Sequence, residues 1–207
     1  QRLDLSNDYI CNGYTLKGVL KADMENIRST MEKIDYNTFE DVVNNIFAAK
    51  RIYIIGLRSS MALAEFLGFY LNIILQNVKT LGYGISDIFE QMINVGEGDL
   101  VIGIGFPRYA SRTIDALAFA QDRGATVVAV TDSFLSPLAA RADYSLIAQS
   151  NMASFVDSLV APLSVINALI IAVGMREKEN ISSTFNSLEE IWREYNVYSY
   201  NNRNVGD

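Results

Sequence analysis

Short apolar segments alternate with helical repeats along most of this chain. The apolar segments are residues 52–55, 78–81, 100–104, 126–131 and 144–147. Four of them are near-continuous runs rich in Val and Ile, which is typical of strands that helices cover on both faces. The pattern therefore predicts an α/β fold, a three-layer αβα sandwich built on a parallel sheet.

Between these segments, apolar residues recur every three or four positions, as they do on one face of a helix. The predicted helices are residues 16–34, 38–47, 60–75, 86–93, 111–123, 155–175 and 188–195, with a helical turn at 137–141. We expect Thr38 to cap the second helix and the stretch Leu159–Met175 to be buried all round, at a subunit interface. The predicted units are a polar, helical arm (1–35), one α/β domain (36–195) and a tail (196–207).

Composition limits the chemistry that the chain can perform. Half of the 207 residues are hydrophobic and the formal net charge is −7, which indicates a globular domain and argues against a nucleic-acid surface. No apolar run reaches the length of a membrane span, about 18 residues. There is no histidine and a single cysteine, Cys11, so a Ser-His-Asp triad is impossible and a zinc site is not expected. We expect a cytoplasmic protein without cofactor or metal.

Two strand-to-helix junctions carry the candidate chemistry. Each runs from a predicted strand through a glycine into a polar turn that contains arginine, and a helix follows. Because helix N-termini open at the carboxyl ends of parallel strands, both junctions are candidate anion sites. The candidate binding residues are Gly56, Arg58, Ser59 and Ser60 in the first junction, and Gly105, Phe106, Arg108, Tyr109, Ser111 and Arg112 in the second.

The order of these motifs resembles that of a sugar isomerase (SIS) domain, a module that binds phosphosugars. The wording Phe106-Pro107-Arg108-Tyr109, followed by Thr131-Asp132-Ser133 and Ser136-Pro137-Leu138-Ala139, resembles the variant found in RpiR-type transcription regulators. The resemblance covers residues 36–175. It implies a five-stranded parallel sheet in flavodoxin-like order, a homodimer or dimer of dimers, and a preceding helix-turn-helix domain that binds DNA. Residues 16–35 would then be the helix that links the two domains.

The resemblance also shows where this chain departs from the family. Family members usually carry Gly-x-Gly-x-Ser in the first junction, and Arg58 stands where the second glycine would be. In the second, Gly105, Pro107 and Ala110 occupy the three hydroxyl positions of Ser-x-Ser-Gly-x-Thr. Either arginines have taken over phosphate binding, or the pocket has kept its shape and lost its ligand.

The sequence also lacks an obvious base for sugar isomerisation, which must move a carbon-bound proton. There is no glutamate between Glu97 and Glu177, and the segment 149–155, where an isomerase would place its acid, offers only amides and hydroxyls. Asp132 is a candidate contact for a sugar hydroxyl. We therefore expect a sensor of a small phosphorylated sugar with no catalytic residues. The alternatives are an aldose–ketose isomerase and a dimerisation scaffold with a silent pocket.

Overall fold

Five parallel strands form the central sheet of the computed structural model, which describes residues 15–153 and 155–198. The strands are β1 (Ile52–Gly56), β2 (Val78–Leu81), β3 (Leu100–Ile104), β4 (Thr126–Thr131) and β5 (Tyr144–Ile147). Their order in the sheet is β2-β1-β3-β4-β5, and the central register pairs Ile52 with Leu100 and Leu100 with Thr126. The predicted fold class and strand order are therefore confirmed.

Seven α-helices accompany the sheet in the described part of the chain. They are α1 (Thr15–Lys33), α2 (Tyr36–Ala48), α3 (Met61–Leu75), α4 (Ile88–Gln91), α5 (Ser111–Asp122), α6 (Val160–Arg176) and α7 (Lys178–Glu194). Short 3₁₀ turns cover Arg58–Ser60 and Ala139–Arg141. The predicted irregular N-terminus, with Cys11, and the end of the predicted tail lie outside the described residues.

The sheet is buried on both faces, which explains the continuous apolar strands. Within β1, Ile52 and Ile54 pack into a core formed with α2, α3 and α6. Tyr53 and Ile55 point the other way, into a second core with α4 and α5. All four side chains are buried, and each fully buried aliphatic side chain contributes roughly 1.5–3 kcal/mol through the hydrophobic effect. These two cores fix the strand ends at which the junctions open.

The starts of α2, α6 and α7 are among the helix boundaries that differ from the predicted ones. Asp35, and not Thr38, caps α2, because its carboxylate accepts hydrogen bonds from the backbone N–H groups of Asn37 and Thr38. The helix predicted from residue 155 begins only at Val160. The last helix begins at Lys178, ten residues before the predicted start, since its first turns are polar and give no apolar periodicity.

The single chain buries only part of Leu159–Met175, and the predicted burial of the rest at a subunit interface stays a prediction. Leu169 and Val173 are fully buried, whereas Ile171 and Met175 are 60% and 62% exposed. The helix α6 therefore presents an apolar surface strip beside its buried face. Within the described residues, no helix is both long and apolar enough to cross a bilayer.

Candidate functional site

The two junctions open side by side at the centre of the sheet. The chain leaves β1 toward β2 on one side and places β3 on the other, so the strand order reverses between β1 and β3. Ligands of open α/β sheets bind at such a switch point, outside the carboxyl ends of the strands. The loops after β1 and β3 therefore occupy the position that the fold favours for a ligand.

A cavity of about 420 Å³ lies between these loops, a size suited to a small ligand. Its lining residues are Leu57, Arg58, Ser59, Ser60, Tyr83, Ile104, Gly105, Phe106, Pro107, Arg108, Tyr109, Ala110, Ser111, Arg112, Thr113 and Asp157. Of the residues predicted from the sequence to bind ligand, only Gly56 and Asp132 do not line the cavity.

Gly56 shapes the first loop without facing the cavity. A Cβ atom at this position would lie 2.6 Å from the backbone oxygen of Ser60, a contact that only glycine avoids. The tight turn places Ser60 at the N-terminus of α3, where it is 4% exposed and lines the cavity. Its side chain makes no capping hydrogen bond, and its backbone N–H donates to the Leu57 oxygen over 3.2 Å. The Ser60 hydroxyl is thus available to a ligand, whereas its N–H is not.

The second loop also ends at an open helix N-terminus. Ala110 caps α5 and has no polar side chain to bind the first N–H groups of the helix. Thr113 and Ile114 donate their N–H groups back to the Ala110 oxygen, so those of Ser111 and Arg112 lie ahead of this first turn. Unpaired N–H groups at a helix N-terminus attract negative charge. The electrostatics of this loop therefore favour an anion.

Arg58 and Arg108 share an uncommon backbone conformation. Their φ angles are 59° and 60°, in the left-handed region, which costs a residue with a Cβ atom roughly 1–2 kcal/mol. Both stand where the family motifs have glycine, for which this conformation is easy. Neither guanidinium has a hydrogen-bond or ion-pair partner within the described chain. Two strained, unpaired arginines thus line one cavity, an arrangement suited to a phosphate.

Arg112 differs from these two arginines because it already has partners. Its Nη2 atom lies 3.2 Å from Oδ2 of Asp87, and its guanidinium lies 5.3 Å from the centre of the Phe89 ring. Asp87 in turn caps α4 through a capping box with Glu90. Arg112 therefore ties α5 to α4 at the rim of the cavity, where both side chains of the pair are partly exposed.

Tyr109 forms one wall of the cavity and is held from behind by Asp132. The Tyr109 hydroxyl donates to Oδ1 of Asp132 over 2.8 Å, and the Thr131 hydroxyl donates to the same oxygen over 3.3 Å. Burial, and then the hydrogen bond to Asp132, raise the pKa of Tyr109 well above its usual value. Asp132 therefore positions Tyr109, and the expected direct contact of Asp132 with a ligand does not follow from its place in the structure.

Seven lining residues were not among those predicted to bind ligand, and three of the seven have polar side chains: Tyr83, Thr113 and Asp157. Tyr83 follows β2 in a loop without periodicity, and Asp157 lies in a segment whose apolar residues indicated a helix. Thr113 lies in the first turn of α5, is 1% exposed, and its hydroxyl has no hydrogen-bond partner within the described residues. A threonine directly after the polar turn was the available signal for it. Asp157 matters most, because it brings a carboxylate to a cavity for which the sequence indicated no base for isomerisation.

Comparison with known proteins agrees with this architecture. The SIS domain family model matches residues 45–172. The structure of the sugar isomerase domain of an RpiR transcription factor from Sphaerobacter thermophilus is similar, with a TM-score of 0.82 and 30% identity. That comparison covers 86% of this chain and 99% of the other. NanR of Vibrio vulnificus, solved in complex with ManNAc-6P, has the same fold, with a TM-score of 0.73, 19% identity and coverage of 93% and 74%.

Among curated proteins, an uncharacterized HTH-type transcriptional regulator of Haemophilus influenzae is 28% identical over 174 residues. The match covers 82% of this chain and 60% of the regulator, so the chain spans less than two thirds of that relative. The family model covers more than half of the chain and coincides with the sheet and the cavity. The chain belongs to the family of SIS domains.

Proposed function

We propose that this chain is the sugar-phosphate-binding effector domain of a cytoplasmic transcriptional regulator. The observation that carries the proposal is the pair of unpaired arginines, Arg58 and Arg108, which line one cavity at the switch point of the sheet. In a chain of net charge −7, a cavity bearing guanidinium groups, the Ser60 hydroxyl and an open helix N-terminus selects an anion. A phosphate satisfies all three kinds of donor.

The relatives support the regulatory part of the proposal. The similar proteins include an RpiR transcription factor and an HTH-type regulator, and the ligand named with NanR is a sugar phosphate. The regulator then binds DNA through a helix-turn-helix domain that is not part of these 207 residues. Ligand changes DNA affinity only if the two conformations of the regulator bind the sugar phosphate with different affinity.

We also propose that the domain acts as a homodimer or a dimer of dimers. Apolar side chains on two neighbouring helices support this proposal: Leu16, Leu20 and Met24 on α1, and Ile171 and Met175 on α6, are all exposed in the single chain. Helix α1 packs against α6, and each of the two sets is a candidate part of the subunit interface. Sedimentation equilibrium of the purified chain tests this point, and a monomer at micromolar concentration would contradict it.

Thermal unfolding with a panel of hexose and pentose phosphates tests the main proposal. A ligand at about 100 times its Kd should raise the free energy of unfolding by about 2.7 kcal/mol. The matching unphosphorylated sugars are the control and should have no effect, because they lack the anion. If no sugar phosphate shifts the unfolding transition, the cavity is silent and the chain is a scaffold.

Asp157 gives the isomerase alternative a specific basis, since a carboxylate in the cavity could act as a general base. We nevertheless favour a sensor, because the described cavity contains no second acid and the matched curated relatives are regulators. Proton NMR of the same sugar phosphates with the purified chain separates the two functions. Aldose–ketose turnover that disappears in Asp157→Asn would establish an enzyme, whereas binding without turnover supports the sensor.

A further inference from the structure

Helix α1 has an inverted distribution of side chains. Its buried residues are the polar Asn26 and Thr30, which are 2% and 5% exposed, whereas Met24 and Met31 are 69% and 62% exposed. Hydrophobic burial therefore cannot be the main reason for this side of the helix to face the domain. Buried polar groups are tolerated where they are fully hydrogen-bonded, so the partners of Asn26 and Thr30 explain why α1 lies where it does.

Both residues bind the backbone of the segment between β5 and α6, called here the post-β5 segment (residues 148–153 and 155–159). The Gln149 N–H donates to Oγ1 of Thr30 over 2.8 Å, and Oγ1 donates to the backbone oxygen of Asn26 over 2.8 Å. The Asn26 amide pairs with Asn151 in both directions, donating to its oxygen over 2.9 Å and accepting from its N–H over 3.1 Å. These bonds fix the segment on α1 in one register.

A further bond extends this connection toward the start of α1. The Ser158 hydroxyl donates to Oδ1 of Asp23 over 2.6 Å. Asp23, Asn26 and Thr30 lie on successive turns of α1, at the spacing of one helix face. One side of the helix is therefore a polar seam, which binds the post-β5 segment at Gln149, Asn151 and Ser158.

The same segment reaches the ligand cavity on its other side. Asp157, the neighbour of Ser158, lines the cavity with Arg58 and Arg108. The Gln149 side chain donates to the backbone oxygen of Asp132 over 3.2 Å, and the Asp132 carboxylate holds Tyr109 in the cavity wall. A displacement of the cavity wall on ligand binding thus acts on the residues that α1 grips.

We propose that the polar seam couples the ligand cavity to helix α1. Asn26 and Thr30 are the positioning residues, because they hold the post-β5 segment. The inference rests on the proposed sugar-phosphate function. Since a half-satisfied buried polar group is costly, the seam has two stable conditions: fully engaged, or released as a unit. If the ligand binds more tightly while the seam is engaged, it shifts the equilibrium of α1 toward the engaged condition by linkage.

Residue-resolved hydrogen exchange of the 207-residue chain tests the coupling, with inorganic phosphate and the hexose and pentose phosphates as probes. In the wild type, bound sugar phosphate should slow exchange of the Gln149 and Asn151 amides and of the α1 amides. The limit is about 100-fold at 100 times Kd, if the seam opens only after ligand leaves. Thr30→Val should speed exchange of both amides in the free protein, weaken binding about 2-fold to 30-fold, and abolish the response of α1.

Two matched variants keep the test specific. Thr30→Ser retains the hydroxyl and should behave as the wild type, and Arg28→Ala alters only an exposed ion pair with Glu32 on the same helix. If ligand binds but α1 exchange does not respond, or if Thr30→Val responds as the wild type does, the coupling is overturned and the proposed function stands. If no probe changes unfolding or exchange of the wild type, the proposed function fails and the coupling fails with it.

Discussion

The amino and carboxyl ends of strands β1 and β3 use arginine in opposite ways. At the amino ends, Arg51 precedes β1 and Asp99 precedes β3. The Arg51 guanidinium donates to Oδ1 and Oδ2 of Asp99 over 3.0 and 2.7 Å. The Asp99 side chain is completely buried and also accepts the N–H of Gly96. The hydrogen bond to Asp99 raises the pKa of Arg51. The ion pair between Arg51 and Asp99 therefore holds the amino ends of β1 and β3 together.

At the carboxyl ends, Arg58 and Arg108 follow the same two strands, and neither guanidinium has a hydrogen-bond acceptor within the described chain. Their backbones are strained, whereas those of Arg51 and Asp99 are not among the positive-φ positions. A cation with a buried partner contributes to the fold, and a cation held open at a cost indicates a partner from outside. We therefore expect the Arg51–Asp99 pair to contribute to stability, and Arg58 and Arg108 to contribute to ligand binding. The following experiments test whether these two contributions are independent.

The largest effect is expected from Arg58→Gly combined with Arg108→Gly. Each change removes a charge-assisted contact to phosphate of roughly 1.5–3 kcal/mol, so each should weaken binding about 10-fold to 100-fold. Glycine at the same φ relieves strain and should raise the free energy of unfolding by up to about 1 kcal/mol per site. Calorimetric titration and urea unfolding measure the two quantities.

Gln76→Gly is the matched control for this pair. Gln76 has a φ of 61° at the end of α3 and does not line the cavity. It should gain similar stability without any change in sugar-phosphate affinity. Unchanged affinity in the double arginine variant would remove both guanidinium groups from the binding site.

An intermediate effect is expected from Asp99→Asn, which keeps the shape of the side chain and removes its charge. The ion pair of the buried Asp99 with the half-exposed Arg51, and the bond from Gly96, weaken, at a cost of about 1.5–3 kcal/mol. Urea unfolding should show this loss, while sugar-phosphate affinity, measured well below the unfolding transition, should stay within about 2-fold of the wild type. Loss of binding as severe as in the arginine variants would mean that the amino and carboxyl ends of β1 and β3 are not independent.

The smallest effect is expected from Tyr109→Phe, which removes one hydrogen bond to Asp132 and should cost about 1 kcal/mol. Because the folded state raises the pKa of Tyr109, its contribution is fully present below the unfolded pKa of about 10 and declines above it. The decline is at most about 1.4 kcal/mol per pH unit and is reduced by partial exposure. The stability gap between wild type and variant should therefore narrow above about pH 10, and a constant gap would contradict the assignment.

The sheet could be predicted because its strands are buried on both faces. A strand such as Leu100–Ile104 has no polar side chain to confuse the pattern. Gly56 marks the end of β1, and Gly105 marks the start of the turn after β3. The location of the cavity follows from these strand ends alone. Helix starts were harder, because α7 begins with polar residues and Asp35 competes with Thr38 as a cap.

The finer structure of the site depends on contacts between distant residues, which local periodicity does not encode. Asp132 lies at a strand end in the sequence, yet the residue that occupies its carboxylate is Tyr109, 23 positions earlier. Asp157 and its neighbours are apolar enough on average to suggest a helix. The segment before Val160 is irregular instead of helical, and it is held by distant residues: Asn26 pairs with the backbone of Asn151, 125 positions away.

The left-handed backbone at Arg58 and Arg108 also bears on how this family diversifies. A position that already has a φ near 60° accepts either glycine or a long side chain without moving the loop. The same scaffold can therefore exchange a cavity lined by backbone amides and hydroxyls for one lined by guanidinium groups through single substitutions. Ligand preference in these domains can then drift along a lineage while the sheet beneath it is inherited intact.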